Sequence, residues 1–223
     1  MSPSAHPSQL ALPKVSTWGG RRLGAGRKPS GRKVGVPHRG RPEHKARHPV
    51  HVTLRAKLSG LRAARVFPVV RDSLAAASRS GFRLLHFSVQ TNHLHLLVEA
   101  HDAEALSRGI CGLVIRTARA VNRVLGRSGP LWKDRYHQRV LKTPREVRHG
   151  LVYVIQNWKK HVAGARGLDP CSSASWFDGW SASPEKPTDL PSPVASPRTW
   201  LASRGWRRHG LIAVTEAPRP SPT

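Results

Sequence analysis

From His48 onward the hydrophobic pattern switches repeatedly between a period of two and a period near 3.6. Val50-His51-Val52-Thr53-Leu54 alternates apolar and polar residues of β-rich type and predicts a strand. Between Phe67 and Ser78, Val70, Leu74 and Ala77 recur at helical spacing, and Gly81 closes that helix. Phe82 to Val89 and His93 to Glu99 predict two strands, joined as a hairpin through Thr91-Asn92. Asp102 opens a helix running to Leu125, with Leu106, Ile110, Leu113, Val114 and Ala118 on one side. A loop covers Gly126 to Gly129, and Gln138 to Leu141 predicts a short strand. Thr143-Pro144-Arg145-Glu146 then combines an N-cap Thr, a Pro at the first helical position and a Glu at the third. The helix it starts is expected to reach Val162, with Gly164 beyond it.

The order strand, helix, two strands, helix, strand, helix predicts an α+β, ferredoxin-like sandwich. Its antiparallel sheet carries helices on one face. On this reading residues 48–165 form the ordered domain. Residues 1–47 form a flexible basic arm, because the run from Gly19 to Pro29 has almost nothing apolar to bury. Residues 166–223 form a Pro/Ser-rich extension, expected to dock in part because Trp176, Phe177, Trp180, Trp200 and Trp206 are embedded in it. There is no internal repeat.

Charge narrows the class of partner. Lys plus Arg number 38 against 12 for Asp plus Glu, a net charge of +26. Such a chain repels itself when compact and fits a polyanion, nucleic acid above all, through counterion release. An Arg-rich codon usage is the bland alternative. The arm, with Arg27 and Lys28, is expected either to follow phosphates or to remain a solvated tail. Two cysteines, Cys111 and Cys171, form neither a disulfide framework nor a zinc pattern. No apolar leader or membrane-length segment is read, so a cytoplasmic, nucleoid-associated protein is expected, with no membrane partner.

Two clusters of residues point to chemistry. On a strand, His93 and His95 project to the same face while Leu94 and Leu96 point into the core. Paired imidazoles are a good start for a divalent metal site, although HxH arises easily by chance among 13 histidines. On the Thr143-capped helix, Tyr153 and Asn157 are four apart and share a face, with Leu151, Val154 and Ile155 on the apolar side. Taken singly, Tyr153 reads as a boundary aromatic. Taken together, an Asn157 oxygen beside two imidazoles completes a three-ligand site for Mg²⁺ or Mn²⁺, with Tyr153 one turn away as nucleophile. A phenol is suited to that role. Its pKa near about 10 makes it a better leaving group than an alcohol, so a phosphotyrosine bond can later be attacked by a DNA 3′-hydroxyl. Tyr136 is the rival nucleophile. It lies in Trp132-Lys133-Asp134-Arg135-Tyr136, whose interleaved aromatic and charged residues suit a single nucleic-acid strand. Tyr153 is favoured because it alone has a ligand one turn away.

The ordered set of these segments resembles the single-tyrosine transposases, whose metal motif is two His flanking a hydrophobic residue, and within them the REP-associated tyrosine transposases. The resemblance spans about residues 48 to 180. It is carried by His51-Val52-Thr53-Leu54-Arg55, Thr91-Asn92-His93-Leu94-His95-Leu96-Leu97-Val98, Gly129-Pro130-Leu131-Trp132-Lys133-Asp134-Arg135-Tyr136 and Leu151-Val152-Tyr153-Val154-Ile155-Gln156-Asn157. Thr199-Trp200-Leu201 and Gly205 to Gly210 look like longer members of the branch. The resemblance implies that His93 and His95 are metal ligands, Asn157 the third ligand and Tyr153 the nucleophile. It also implies cleavage of single-stranded DNA at folded palindromes, leaving a 5′-phosphotyrosine and a free 3′-hydroxyl. DNA contacts are expected from Arg55, Trp132, Lys133, Arg135, Tyr136, Lys159 and Lys160, in a monomer or homodimer. Many relatives place Pro after the Asn, where this chain has Trp158-Lys159-Lys160-His161. The helix is therefore expected to continue, and Gln156 competes with Asn157 as third ligand. Two other classes remain open: a nucleic-acid-binding protein that keeps the fold without the chemistry, and a metal-dependent nuclease that uses activated water.

Overall fold

The computed structural model describes residues 43–162, 164–182, 184 and 190–218. Most of the expected basic arm, including Arg27 and Lys28, lies outside the described residues. Four strands, β1 (Val50–Arg55), β2 (Phe82–Val89), β3 (His93–Ala100) and β4 (His137–Val140), form one antiparallel sheet in the order β2-β3-β1-β4. With α1 (Phe67–Ala75) between β1 and β2, and α2 (Ala103–Val124) between β3 and β4, this is the ferredoxin-like α+β arrangement.

The strands divide their residues between two cores. Val50, Val52 and Leu54 of β1 and Leu94, Leu96 and Val98 of β3 point one way and are buried with Val70 and Leu74 of α1 and Leu106, Ile110 and Leu113 of α2. This is the helix-covered face anticipated from the alternation. Gly109 lets α2 close onto the sheet, since a Cβ there would lie 2.2 Å from the Phe82 ring.

The opposite face is covered as well. There α3 (Pro144–Ile155) buries Val147, Leu151, Val154 and Ile155 against Leu85 and Leu97 of the sheet. The C-terminal extension completes this second core with Phe177, Trp180, Leu201, Trp206 and Ile212. Arg62 and Asp169 tie the start of the extension to the domain at 2.7 Å, and Asp169 also accepts from Cys171 N and Ser88 Oγ. Farther on, Glu99 accepts from Thr199 N and Oγ1 and from Arg198 N. Asp169 of the extension is satisfied largely by donors from the domain, and Glu99 of the domain by donors from the extension, so that segment is part of the domain's interior.

The α3 start is as expected: Thr143 and Glu146 make a reciprocal capping box. Its end is not. The α-helix stops at Ile155, Gln156 adopts φ −114° and ψ 11°, and Asn157–Lys160 forms a 3₁₀ turn. The expectation of one continuous helix to Val162 is therefore corrected. The physical reason is that Gln156 Nε2 donates to the carbonyls of Val214 and Ala213, at 2.9 and 3.4 Å, and Lys159 Nζ also donates to Val214 O. The docked extension draws the backbone out of the α conformation.

Candidate active site

The sheet face beneath α3 carries polar residues in the gap between apolar ones. Register pairs Thr53 with His95, Arg55 with His93 and His51 with Leu97 across β1 and β3, so His51, Thr53, His93 and His95 emerge together. The His93 and His95 rings meet edge to face with centroids 4.8 Å apart. Tyr153 of α3 closes over them, its ring 5.0 Å from His95 and 5.3 Å from His51. Lys160 Nζ lies 4.4 Å from the Tyr153 ring centre, and His161 touches His93 with centroids 5.7 Å apart.

Each imidazole of the pair has Nδ1 engaged. His93 Nδ1 is 2.9 Å from Asn92 Oδ1, so it carries the proton and leaves Nε2 with a free lone pair. His95 Nδ1 lies 3.2 Å from both His51 Nε2 and Thr53 Oγ1. Either can accept its proton, again leaving Nε2 basic. Burial pushes the imidazoles down, to about 4 for His51 and His93 and to about 2 for His95, where His51 and His93 add to the effect. All are neutral at pH 7, the form that ligates metal.

Asn157 is buried at 1% exposure, and neither its Oδ1 nor its Nδ2 has a hydrogen-bond partner. A buried amide left wholly unpaired is costly and calls for an explanation such as an ion or ordered water. Gln156, its competitor, donates Nε2 to the carbonyls of Val214 and Ala213, but its buried Oε1 is also without a hydrogen-bond partner, so both amides offer an oxygen. The donor set of two neutral imidazoles and one amide oxygen fits a divalent cation. Among the described residues, however, no group of three or more His, Cys, Asp or Glu side chains is arranged to hold a metal.

The remaining candidates scatter. Arg55 is exposed at the end of β1, directly opposite His93 in the register. Lys133 and Arg135 are exposed. Trp132 and Tyr136 pack against the other core, on the α2 side of the sheet, and line a cavity of about 440 Å³ with Leu54, Leu106 and Ile110. The Trp132 indole donates to Val114 O at 3.0 Å. Tyr136 is thus separated by the sheet from the histidine pair that Tyr153 touches. Of the two lysines, Lys159 is turned onto Val214 and Lys160 onto Tyr153. His51 is the residue that sequence reasoning passed over as a site member. Its period-two relation to Thr53 was visible, but its contact with His95 depends on the β1–β3 register.

No family model matches this sequence, and no curated protein sequence does either. Among solved structures, a REP-associated tyrosine transposase bound to a REP hairpin superposes with TM-score 0.47 at 16% identity, over 56% of this chain and 74% of that one. A protein of Deinococcus radiodurans R1 assigned as a transposase superposes with TM-score 0.37 at 18% identity, over 49% of this chain and 87% of that one. The ferredoxin-like class rests on the strand order and helix placement, which stand without these overlays.

Proposed function

We propose that this protein is a transposase that cleaves and rejoins single-stranded DNA at hairpins, using Tyr153 to hold the broken strand. The observation that carries the reading is the packing of Tyr153 on His95, itself edge to face with His93, on one face of the sheet, with a buried, unpaired Asn157 amide in the turn that follows the Tyr153 helix. In the reaction the Tyr153 oxygen attacks a backbone phosphorus and gives its proton to solvent, the bond from phosphorus to the 3′ oxygen breaks, and that oxygen takes up a proton from solvent. The products are a 5′-phosphotyrosine and a free 3′-hydroxyl, and reversal by a new 3′-hydroxyl rejoins the strand. The Lys160 cation over the ring stabilises the charge that builds on the phenol. His51 and Thr53 hold the His95 ring, and Asn92 holds His93.

A divalent cation, Mg²⁺ or Mn²⁺, would be held by Nε2 of His93 and His95 and Oδ1 of Asn157. When bound, it supplies polarisation of the phosphate and offsets developing negative charge. Hairpin DNA is the substrate class that the sequence resemblance implies. A net charge of +26 supports a DNA partner.

The test is incubation with labelled single-stranded hairpin DNA and Mg²⁺ or Mn²⁺, followed by a denaturing gel. Wild-type protein should form a covalent adduct, and Tyr153→Phe should lose both adduct and cleavage while still binding DNA. Tyr136→Phe should keep the adduct. An adduct that survives in Tyr153→Phe removes the assignment, and cleavage without any adduct points to activated water instead.

A further inference from the structure

The outward side of α3 carries basic residues that the tyrosine chemistry does not use. Arg145, Arg148 and His149 of α3 and His209 of the 3₁₀ segment Gly205–His209 line a cleft of about 390 Å³. No acidic residue lines it. The cleft has a fixed wall. Arg148 donates to both oxygens of Glu216, at 2.7 and 2.8 Å, and to the carbonyls of Gly210 and Leu211, both at 3.0 Å. Its charge is therefore spent on clamping the segment that carries His209 against the helix.

Arg145 differs. It is exposed and makes no ion pair among the described residues. It also sits in the first turn of α3, where the helix dipole disfavours a cation. A side chain placed against its local stability is better explained by a ligand than by the fold. Position gives the ligand's class. Arg145 and His149 lie one turn apart on the outward side, Tyr153 lies a further turn on and rotated toward the sheet, and Arg145 is about 12 Å along the axis from Tyr153.

We infer that this cleft binds backbone phosphate of the single strand flanking the nucleotide presented to Tyr153, with Arg145 as the principal cation and His149 and His209 as donors. The inference rests on the proposed function for the identity of the strand, but its test reads binding alone. The full-length chain with Tyr153→Phe is titrated with a DNA hairpin bearing single-stranded tails and with the same hairpin blunt-ended, over a series of salt concentrations. Adding Arg145→Gln should weaken binding of the tailed hairpin by a factor on the order of ten and flatten its salt slope by about 0.7 for each phosphate no longer neutralised. Adding His209→Gln as well should deepen the loss. The blunt hairpin should be unaffected, and the thermal midpoint should hold or rise, because the dipole penalty is gone. Arg119→Gln, which removes an exposed charge from α2, should change neither DNA. Equal loss for tailed and blunt hairpins, equal loss in the Arg119→Gln control, or no loss at all would each overturn the inference. Absence of a covalent adduct from the wild-type chain, with the Tyr153→Phe chain still distinguishing tailed from blunt DNA, would instead sink only the transposase reading.

Discussion

His95 depends on a neighbour that does no chemistry itself. His51 offers its Nε2 to His95 Nδ1 and presses its ring on Tyr153, so it orients both halves of the site. Replacing it by Gln keeps a polar side chain but loses the ring. On the proposed function, with His95 holding a metal, His51→Gln should lower cleavage about 10-fold or more, the usual cost of removing an outer partner of such a His, with hairpin affinity unchanged. Unchanged cleavage rates would show that His95 needs no such support. A separate histidine shares in the pH dependence of stability with His51, His93 and His95, which burial lowers in the same direction. His86 packs edge-on against Phe177 and bonds Ser173 Oγ, and burial pushes it down to about 4. Unfolded, it titrates near 6.5. Between those values the unfolded chain binds a proton that the folded chain refuses, so stability falls as pH drops from about 6.5 toward 4 and is level above pH 7. His86→Gln should flatten the dependence of the melting temperature on pH in that window; an equally steep profile would place the acid sensitivity elsewhere. At this scale the sequence was informative about same-face neighbours two apart, which is how His93 and His95 were paired. It was silent on His51, because partners 44 residues apart meet only through register.

Elements were legible where local signals set them and misread where distant contacts do. The Thr143-Pro144-Glu146 signal placed the start of α3 correctly, since a capping box is local chemistry. Its end is imposed by Val214, about a quarter of the chain away, and no periodicity announces that. Element packing also yields a prediction. A methyl group at Gly109 would meet the Phe82 ring at 2.2 Å, and the ring is fully buried with no room to retreat. Gly109→Ala would gain helix propensity in isolation, yet overpacking should win and destabilise the protein by roughly 1–3 kcal/mol. Urea unfolding measures the balance, and a higher midpoint would mean that Phe82 repacks at little cost.

At the scale of the whole molecule, the sheet is buried on both sides, and the second cover is the extension that composition marked as only partly ordered. Trp206 is 1% exposed and Ile212 0%, so this segment supplies core rather than decoration. Removing residues 196–223 would uncover Leu85, Leu97 and the apolar side of α3. The truncated protein should aggregate or bind a hydrophobic dye that the full chain ignores. A monomeric, cooperatively melting truncation would show that α1, α2 and the sheet suffice. The low overall apolar content, 38%, disguised this because the relevant residues are a few large aromatics spaced widely through polar sequence.

The hold that Val214 has on Gln156 has a consequence in time. Translation delivers β1, β3 and α3 first, so a nascent chain can present both histidines and the tyrosine long before residue 214 emerges. Until then nothing draws Gln156 out of the helix, and the turn bearing Asn157 has not taken its shape. A ribosome-bound chain would hold Tyr153 without the finished turn beside it. On the proposed function, cutting would therefore begin only once residue 214 has emerged and docked on Gln156.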